Sequence, residues 1–139
     1  MKDIVIERVL DFPRAMVWEA LTQSDHLAAW LMPNDFRPVL HHRFTFKTAP
    51  APGFDGIVRC EVLDIDPPER LAISWRGGPL DTIVRFHLQD EGTKTRLTVR
   101  HEGFAGLANL IPRFALGLGW KDLIARKLPA YVGTLQHVA

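Results

Sequence analysis

The chain of 139 residues has a single cysteine, a single tyrosine and almost no net charge. One cysteine cannot form an internal disulfide, and the position of Cys60 in a strand-like run predicts a buried, unreactive thiol in a reducing compartment. The 17 Lys and Arg residues and 16 Asp and Glu residues leave a net charge of +1, which is too little for the basic surface that drives nucleic-acid binding. We therefore expect neither a disulfide scaffold nor a nucleic-acid partner.

Long hydrophobic runs are also missing from the chain. No apolar segment approaches the roughly 20 residues of a membrane-spanning helix, and the first ten residues alternate charged and apolar side chains instead of forming a signal peptide. The sequence thus predicts a cytoplasmic protein without a membrane span. Its length suits one domain, residues 1–139, which would bury about two thirds of its unfolded surface.

What the sequence does contain is a change of hydrophobic period along the chain. Residues 4–10 predict a strand, residues 13–22 a helix with Asp11 as its cap, and residues 24–31 a second short helix capped by Ser24. From His41 onward, apolar and polar residues alternate through five further segments. Strand, two helices, five strands and a last helix predict an α+β fold with a curved, six-stranded antiparallel sheet and helices on one face.

The last predicted helix, residues 110–128, is capped by Asn109 and would measure about 28 Å at a rise of about 1.5 Å per residue, so it should cross the sheet. Gly117 and Gly119 weaken this helix by about 1 kcal/mol each relative to alanine. Either the backbone approaches a bulky neighbour at these glycines, or the helix leaves a gap above the sheet.

Three apolar residues of this helix, Ile111, Phe114 and Leu118, project away from the sheet-facing side. Either the second short helix covers them, or they form an exposed patch for a second subunit, for another partner or for ligand access.

Many aromatic side chains are predicted to face inward, and they predict an apolar cavity between the sheet and the last helix. The alternative is a fully packed aromatic core without a cavity. The candidate ligand-binding residues are Phe44, Phe46, Trp75, Phe86, Val99, His101, Leu116, Trp120 and Ile124.

Residues with catalytic or metal-binding chemistry are few. His101 faces inward and could act as an acid or base, or it could be a structural histidine that is hydrogen-bonded near a strand end. His41 and His42 are neighbours on a strand and point to opposite faces, so they cannot both join His101 in one metal site. No nucleophile motif or phosphate-binding loop is present. We therefore assign no catalytic residue, metal or cofactor.

Several segments together resemble the homologues of the activator of heat-shock protein 90 ATPase, within the START-like (SRPBCC) superfamily. These segments are FPRAMVWEALT, HLAAWL, DIDPPERLAISW, TRLTVRHEGF and GWKDLIARKL. The resemblance spans Ile4 to about Val132 and implies a helix-grip fold with an elongated internal pocket, an unassigned ligand and no shared catalytic residue. This chain departs from the family's pattern at two places. His41-His42 replaces a Gly-Gly pair and should alter the pocket mouth, and Pro129 should kink or end the last helix near Leu128.

Three functions stay open on the sequence. The leading hypothesis is a module that binds a hydrophobic small molecule, with His101 or His42 supplying one hydrogen bond. The second is an enzyme of the cyclase or hydrolase type that uses His101 as acid or base. The third is a partner-binding module that forms a homodimer or contacts a chaperone through the exposed apolar patch.

Overall fold

The computed structural model describes residues 1–135 and contains one antiparallel sheet of six strands. The strands are β1 (Ile4–Leu10), β2 (Arg43–Lys47), β3 (Ile57–Asp66), β4 (Arg70–Gly77), β5 (Leu80–Glu91) and β6 (Lys94–Glu102). Strands β2 to β6 follow one another across the sheet as a meander, and β1 pairs with β6 at the far edge. The predicted α+β fold with a curved six-stranded antiparallel sheet is confirmed.

The burial of the strands follows their alternation. In β5, Leu80, Thr82, Val84, Phe86 and Leu88 are buried, and the residues between them are exposed or half-buried. Successive side chains on a strand point to opposite faces, so one face of the sheet carries the core and the other faces solvent.

Two short helices, α1 (Arg14–Thr22) and α2 (Ser24–Trp30), connect β1 to β2. Neither predicted cap forms, because Asp11 lies outside α1 and the Ser24 hydroxyl bonds elsewhere. Ser24 Oγ donates to the side-chain oxygen of Asn34 at 2.8 Å, which ties α2 to the segment that follows it. Trp30 Nε1 donates to the carbonyl oxygen of Ala20 at 2.8 Å and joins the two helices.

The C-terminal helix begins after a 3₁₀ turn and has three parts. They are α3 (Leu110–Asp122), a π-helical segment (Leu123–Lys127) and α4 (Leu128–Leu135). The helix therefore does not end at Leu128, which was one of the two outcomes predicted for Pro129. A proline ring lacks the N–H that bonds four residues back and crowds the carbonyl there. The π-helical segment ends two residues before Pro129, and Leu128 N–H bonds five residues back to the Leu123 carbonyl. The helix thus departs from regular α-geometry next to the proline, as helices commonly do.

Asn109 does not cap the C-terminal helix as predicted. Its side-chain oxygen accepts from the Ala105 N–H at 3.0 Å, and its amide donates to the Pro79 carbonyl at 3.1 Å. Asn109 is buried, so both groups need partners away from water. The side chain therefore fastens the loop after β6 to the turn between β4 and β5.

The C-terminal helix packs on the core through Trp120, Ile124, Leu128 and Val132, all of which are almost fully buried. The spacing of four residues places them on one side of the helix. The half-buried Leu116, Leu123 and Tyr131 pack against the core beside this row.

The two helix glycines are not sites of close packing. A Cβ atom built at Gly117 or at Gly119 would meet no other atom within 4 Å, apart from its chain neighbours and the helix's own backbone. Close backbone approach, the first of the two explanations, is thus excluded. Open space beside the helix remains.

We expect Gly117→Ala and Gly119→Ala each to raise the free energy of unfolding by about 1 kcal/mol, because alanine restricts the unfolded chain and has no clash to offset that gain. Urea unfolding followed by circular dichroism measures the change. Gly103→Ala is the matched control and should destabilise the protein, because Gly103 has a φ of +97°. A lower free energy of unfolding in Gly117→Ala or Gly119→Ala would contradict the presence of open space at that glycine.

Candidate functional site

A row of buried aromatic rings lies between the sheet and the C-terminal helix. Phe44 and Phe46 have ring centroids 5.4 Å apart, Phe46 and Trp75 5.6 Å, Trp75 and Trp120 5.8 Å, and Phe86 and Trp120 6.0 Å. The rings are tilted or edge-on to one another, the geometries that aromatic pairs prefer. The predicted inward orientation of these five side chains is confirmed.

His101 is fully buried at the end of this row and forms a chain of hydrogen bonds. Trp120 Nε1–H donates to His101 Nδ1 at 3.1 Å, so the ring must carry its proton on Nε2. That proton is donated to Thr82 Oγ1 at 2.7 Å, and the Thr82 hydroxyl donates in turn to the Trp75 carbonyl at 2.8 Å. Each group in the chain has a partner.

Burial lowers the pKa of His101 from 6.5 to about 4, because the charged ring would lose its hydration. The ring touches Trp75, Phe104 and Trp120. None of these side chains can stabilise a positive charge by ion pairing. His101 is therefore neutral at pH 7 and has no ring nitrogen available to a substrate.

A small apolar pocket opens beside the aromatic row, where the end of α2 meets α3. Its volume is about 190 Å³, and its lining is almost wholly apolar. The lining residues are Leu31, Met32, Trp75, Ala115, Leu116, Gly119, Trp120 and Leu123. An enclosed cavity of about 150 Å³ lined by aliphatic and aromatic side chains holds one benzene ring. This pocket has room for a guest of that size, but it is open to solvent on one side and would leave the guest partly exposed.

The structure places three of the nine predicted site residues, Trp75, Leu116 and Trp120, on the pocket lining. The other six lie deeper in the core or along the aromatic row. They are Phe44, Phe46, Phe86, Val99, His101 and Ile124, all of which are buried. The sequence reasoning missed Leu31 and Met32, because their contact with α3 depends on how α2 packs. It singled out Gly119, whose missing side chain leaves part of the pocket open.

Five apolar residues of the C-terminal helix and of the 3₁₀ turn before it are exposed, and we call them the apolar stripe. Its members are Leu107, Leu110, Ile111, Phe114 and Leu118, each at least 51% exposed. Helix α2 does not cover them, because its apolar residues Leu27 and Trp30 are themselves buried in the core. The structure thus selects an exposed patch over a covered one.

A second, larger depression of about 920 Å³ crosses the solvent-facing side of the sheet. Its charged residues pair within the chain, as in Arg43 with Glu61 at 3.4 Å and Arg76 with Asp81 at 2.9 Å. Such exposed pairs are screened by water and contribute little to stability. The depression is open and of mixed charge, so it has no chemical selectivity that we can assign.

The two remaining candidates, the neighbouring histidines and the thiol, lie outside the apolar pocket. His41 is exposed, and His42 is half-buried, with its Nε2 3.0 Å from the Asp35 carbonyl oxygen. Neither histidine lines the apolar pocket, so they do not shape its mouth as predicted. Cys60 is buried, and burial, with the nearby Asp35 charge, raises the pKa of its thiol to about 12. Within residues 1–135, no group of three or more His, Cys, Asp or Glu side chains could hold a metal ion.

The curved antiparallel sheet that holds a long C-terminal helix across a buried aromatic cluster defines a helix-grip domain of the START-like class. Residues 11–133 match the profile of the "Activator of Hsp90 ATPase homolog 1-like protein" family. The chain belongs to this family. In the described part of the chain, no helix is both long enough and apolar enough to span a membrane.

Solved structures resemble the chain over nearly its full length. Protein MLL2253 from Mesorhizobium loti is 30% identical, with a TM-score of 0.84 over 96% of this chain and 98% of its own. BH1534 from Bacillus halodurans is 30% identical, with a TM-score of 0.78 over 95% and 97%. CalU16 from Micromonospora echinospora shares the fold at 23% identity, with a TM-score of 0.77 over 94% and 75%. No curated protein has a significant sequence match to this chain.

Proposed function

We propose that this protein binds a small apolar or aromatic molecule in the apolar pocket beside Trp120. The observation that carries the proposal is Gly119, which lines the pocket and leaves open space where a side chain would stand. Glycine inside a helix lowers stability by about 1 kcal/mol relative to alanine. A requirement for space in the pocket would account for a glycine at this position. Burial of apolar ligand surface would drive binding, at about 25 cal/mol per Å².

The size of the pocket limits the ligand. At about 190 Å³ the pocket is smaller than the roughly 300–1,000 Å³ of drug-sized sites. We infer a single ring or the apolar end of a longer molecule whose polar part stays in solvent. The six deeper candidate residues would reach the ligand only if Trp75 or Trp120 moved aside.

A thermal shift experiment with p-cresol as the probe tests this proposal. At about 100 times the dissociation constant, a ligand that binds only the folded state contributes about 2.7 kcal/mol, so we expect the melting temperature to rise by about 5 °C or more. Gly119→Leu should fill the pocket and abolish the shift.

Gly117→Leu is the matched control, because Gly117 also has open space around it but does not line the pocket. It should keep the full response to p-cresol. Glycerol, a polar compound, should change the melting temperatures of the wild type and of Gly119→Leu by the same small amount. A wild-type protein that responds to neither p-cresol nor toluene, or a Gly119→Leu variant that still responds, would contradict binding at this pocket.

The other two hypotheses receive less support from the contacts. Acid or base catalysis by His101 would need one of its ring nitrogens to be released from Trp120 or Thr82. A homodimer or chaperone contact through the apolar stripe stays a prediction. Gel filtration over a range of concentrations tests the dimer, with the monomer expected at 15.7 kDa.

A further inference from the structure

The apolar stripe lies in a segment of the chain that has a net positive charge. Residues 103–135 contain Arg113, Lys121, Arg126 and Lys127 and one acidic residue, Asp122, so four positive charges minus one negative give +3. The whole chain carries +1, and the rest therefore carries −2. The last helix is a basic element on an otherwise slightly acidic protein.

The apolar residues of the stripe lie along one side of the C-terminal helix, so they could contact a flat surface together. Ile111, Phe114 and Leu118 follow one another at intervals of three and four residues, which places them in one line along α3. Leu107 lies in the 3₁₀ turn just before this helix. Lys121 continues this line at its C-terminal end and is exposed. Within residues 1–135 neither Lys121 nor Arg113 forms an ion pair with a carboxylate.

We propose that the apolar stripe docks this protein on an anionic lipid surface. Amphipathic helices bind at membrane surfaces through exposed Leu, Ile and Phe side chains together with flanking Lys and Arg. Each basic side chain close to an anionic surface contributes about 1 kcal/mol, or about fivefold in affinity. Of the basic residues in this segment, Arg126 and Lys127 pair with Asp122, and Arg113 donates to the carbonyl oxygens of Lys2 and Asp3. Lys121 is therefore the charge that lies in line with the stripe, and no acidic residue lies between Gly103 and Lys121.

A second copy of the chain is a poorer fit for the same surface. Two stripes placed face to face would bring two helices of net charge +3 together, and like charges repel at such a contact. An anionic surface has the opposite charge and accepts a single convex row of side chains. The complementarity of charge therefore favours lipid.

The apolar pocket opens next to the docking surface. Ala115 is exposed on α3 beside the stripe and also lines the pocket. A docked protein would hold the pocket opening close to the lipid. The docking proposal does not depend on whether the pocket binds a ligand.

Vesicle flotation with the full-length protein tests the proposal. We expect binding to vesicles of phosphatidylcholine with 30% phosphatidylglycerol to be at least tenfold tighter than binding to phosphatidylcholine alone, and to weaken as salt rises from 50 to 300 mM. Phe114→Ser and Ile111→Ser should each lower binding at least fivefold. Because both side chains are largely exposed, the variants should fold.

Val39→Ser is the matched control, since Val39 is 56% exposed but lies outside the stripe, and it should bind like the wild type. Lys121→Glu should reduce binding to anionic vesicles and leave binding to phosphatidylcholine unchanged. Failure of the wild type to float with anionic vesicles would overturn the proposal. The proposal would also be overturned if the stripe variants abolished self-association or chaperone binding while the wild type did not bind vesicles.

Discussion

Replacing Trp120 with alanine is expected to lower the free energy of unfolding by about 3–5 kcal/mol, the range for the loss of a large aromatic side chain from a core. Trp120 is 1% exposed and touches Trp75, Phe86 and His101. The loss would be a large part of the roughly 5–15 kcal/mol that stabilises a domain. Urea unfolding followed by far-ultraviolet circular dichroism measures it without relying on tryptophan fluorescence.

Trp120→Phe separates the hydrogen bond of this residue from its volume. Phenylalanine keeps an aromatic ring but removes the Nε1–H, and so leaves His101 Nδ1 buried without a donor. An unsatisfied buried acceptor costs about 1–3 kcal/mol, so this variant should lie between the wild type and Trp120→Ala. If Trp120→Ala lowered the free energy of unfolding by less than about 1 kcal/mol, the aromatic row would contribute little to stability, contrary to our prediction.

The second large effect is a dependence of stability on pH between 6.5 and 4, caused by His101. Its pKa is lowered from 6.5 in the unfolded chain to about 4 in the folded protein. In this interval the unfolded chain binds the additional proton, so the free energy of unfolding falls as the pH falls. The full contribution is present above about pH 6.5, and about 3 kcal/mol should be lost by pH 4.

The experiment compares the wild type with His101→Gln at several pH values between 7 and 4. The variant should be less stable at pH 7 and should have a flatter pH profile, because glutamine does not titrate. His87→Gln is the control, since the His87 side chain is 41% exposed and lies on the outer face of the sheet, and it should keep the steep wild-type profile.

Nitrogen NMR of the wild-type ring gives a readout that needs no variant. We expect a neutral ring with its proton on Nε2 at pH 6, because Nδ1 accepts from Trp120. A His101 ring that is protonated at pH 6 would contradict both the proton assignment and the expected loss of stability.

The order of the elements and the orientation of the side chains were predictable from the sequence. Alternation placed Phe44, Trp75 and Phe86 on the inner face, and every strand formed where the period changed to two. Such patterns depend only on neighbours along the chain. The two predicted helix caps of α1 and α2 were wrong, because a hydroxyl such as that of Ser24 can bond to a more distant partner such as Asn34.

The function of His101 was open on the sequence, since an inward histidine can be catalytic or structural. The structure brings Thr82 and Trp120, each 19 residues away along the chain, within hydrogen-bond distance of its two ring nitrogens. These partners come from a neighbouring strand and from the C-terminal helix. No local sequence pattern predicts that both ring nitrogens of His101 are hydrogen-bonded within the protein.

The sequence by itself determined the fold class and the inward orientation of the aromatic row, because both follow from the hydrophobic period of successive segments. Whether Ile111, Phe114 and Leu118 are covered or exposed stayed open on the sequence, and the structure leaves them exposed. Only the tertiary structure decided where open space remains. The pocket lies between Leu31 and Met32 on one side and Leu116 and Gly119 on the other, segments more than 80 residues apart along the chain. The volume between two such segments is set by how helices and sheet pack together, and pairwise packing over that distance leaves no periodic trace in the sequence.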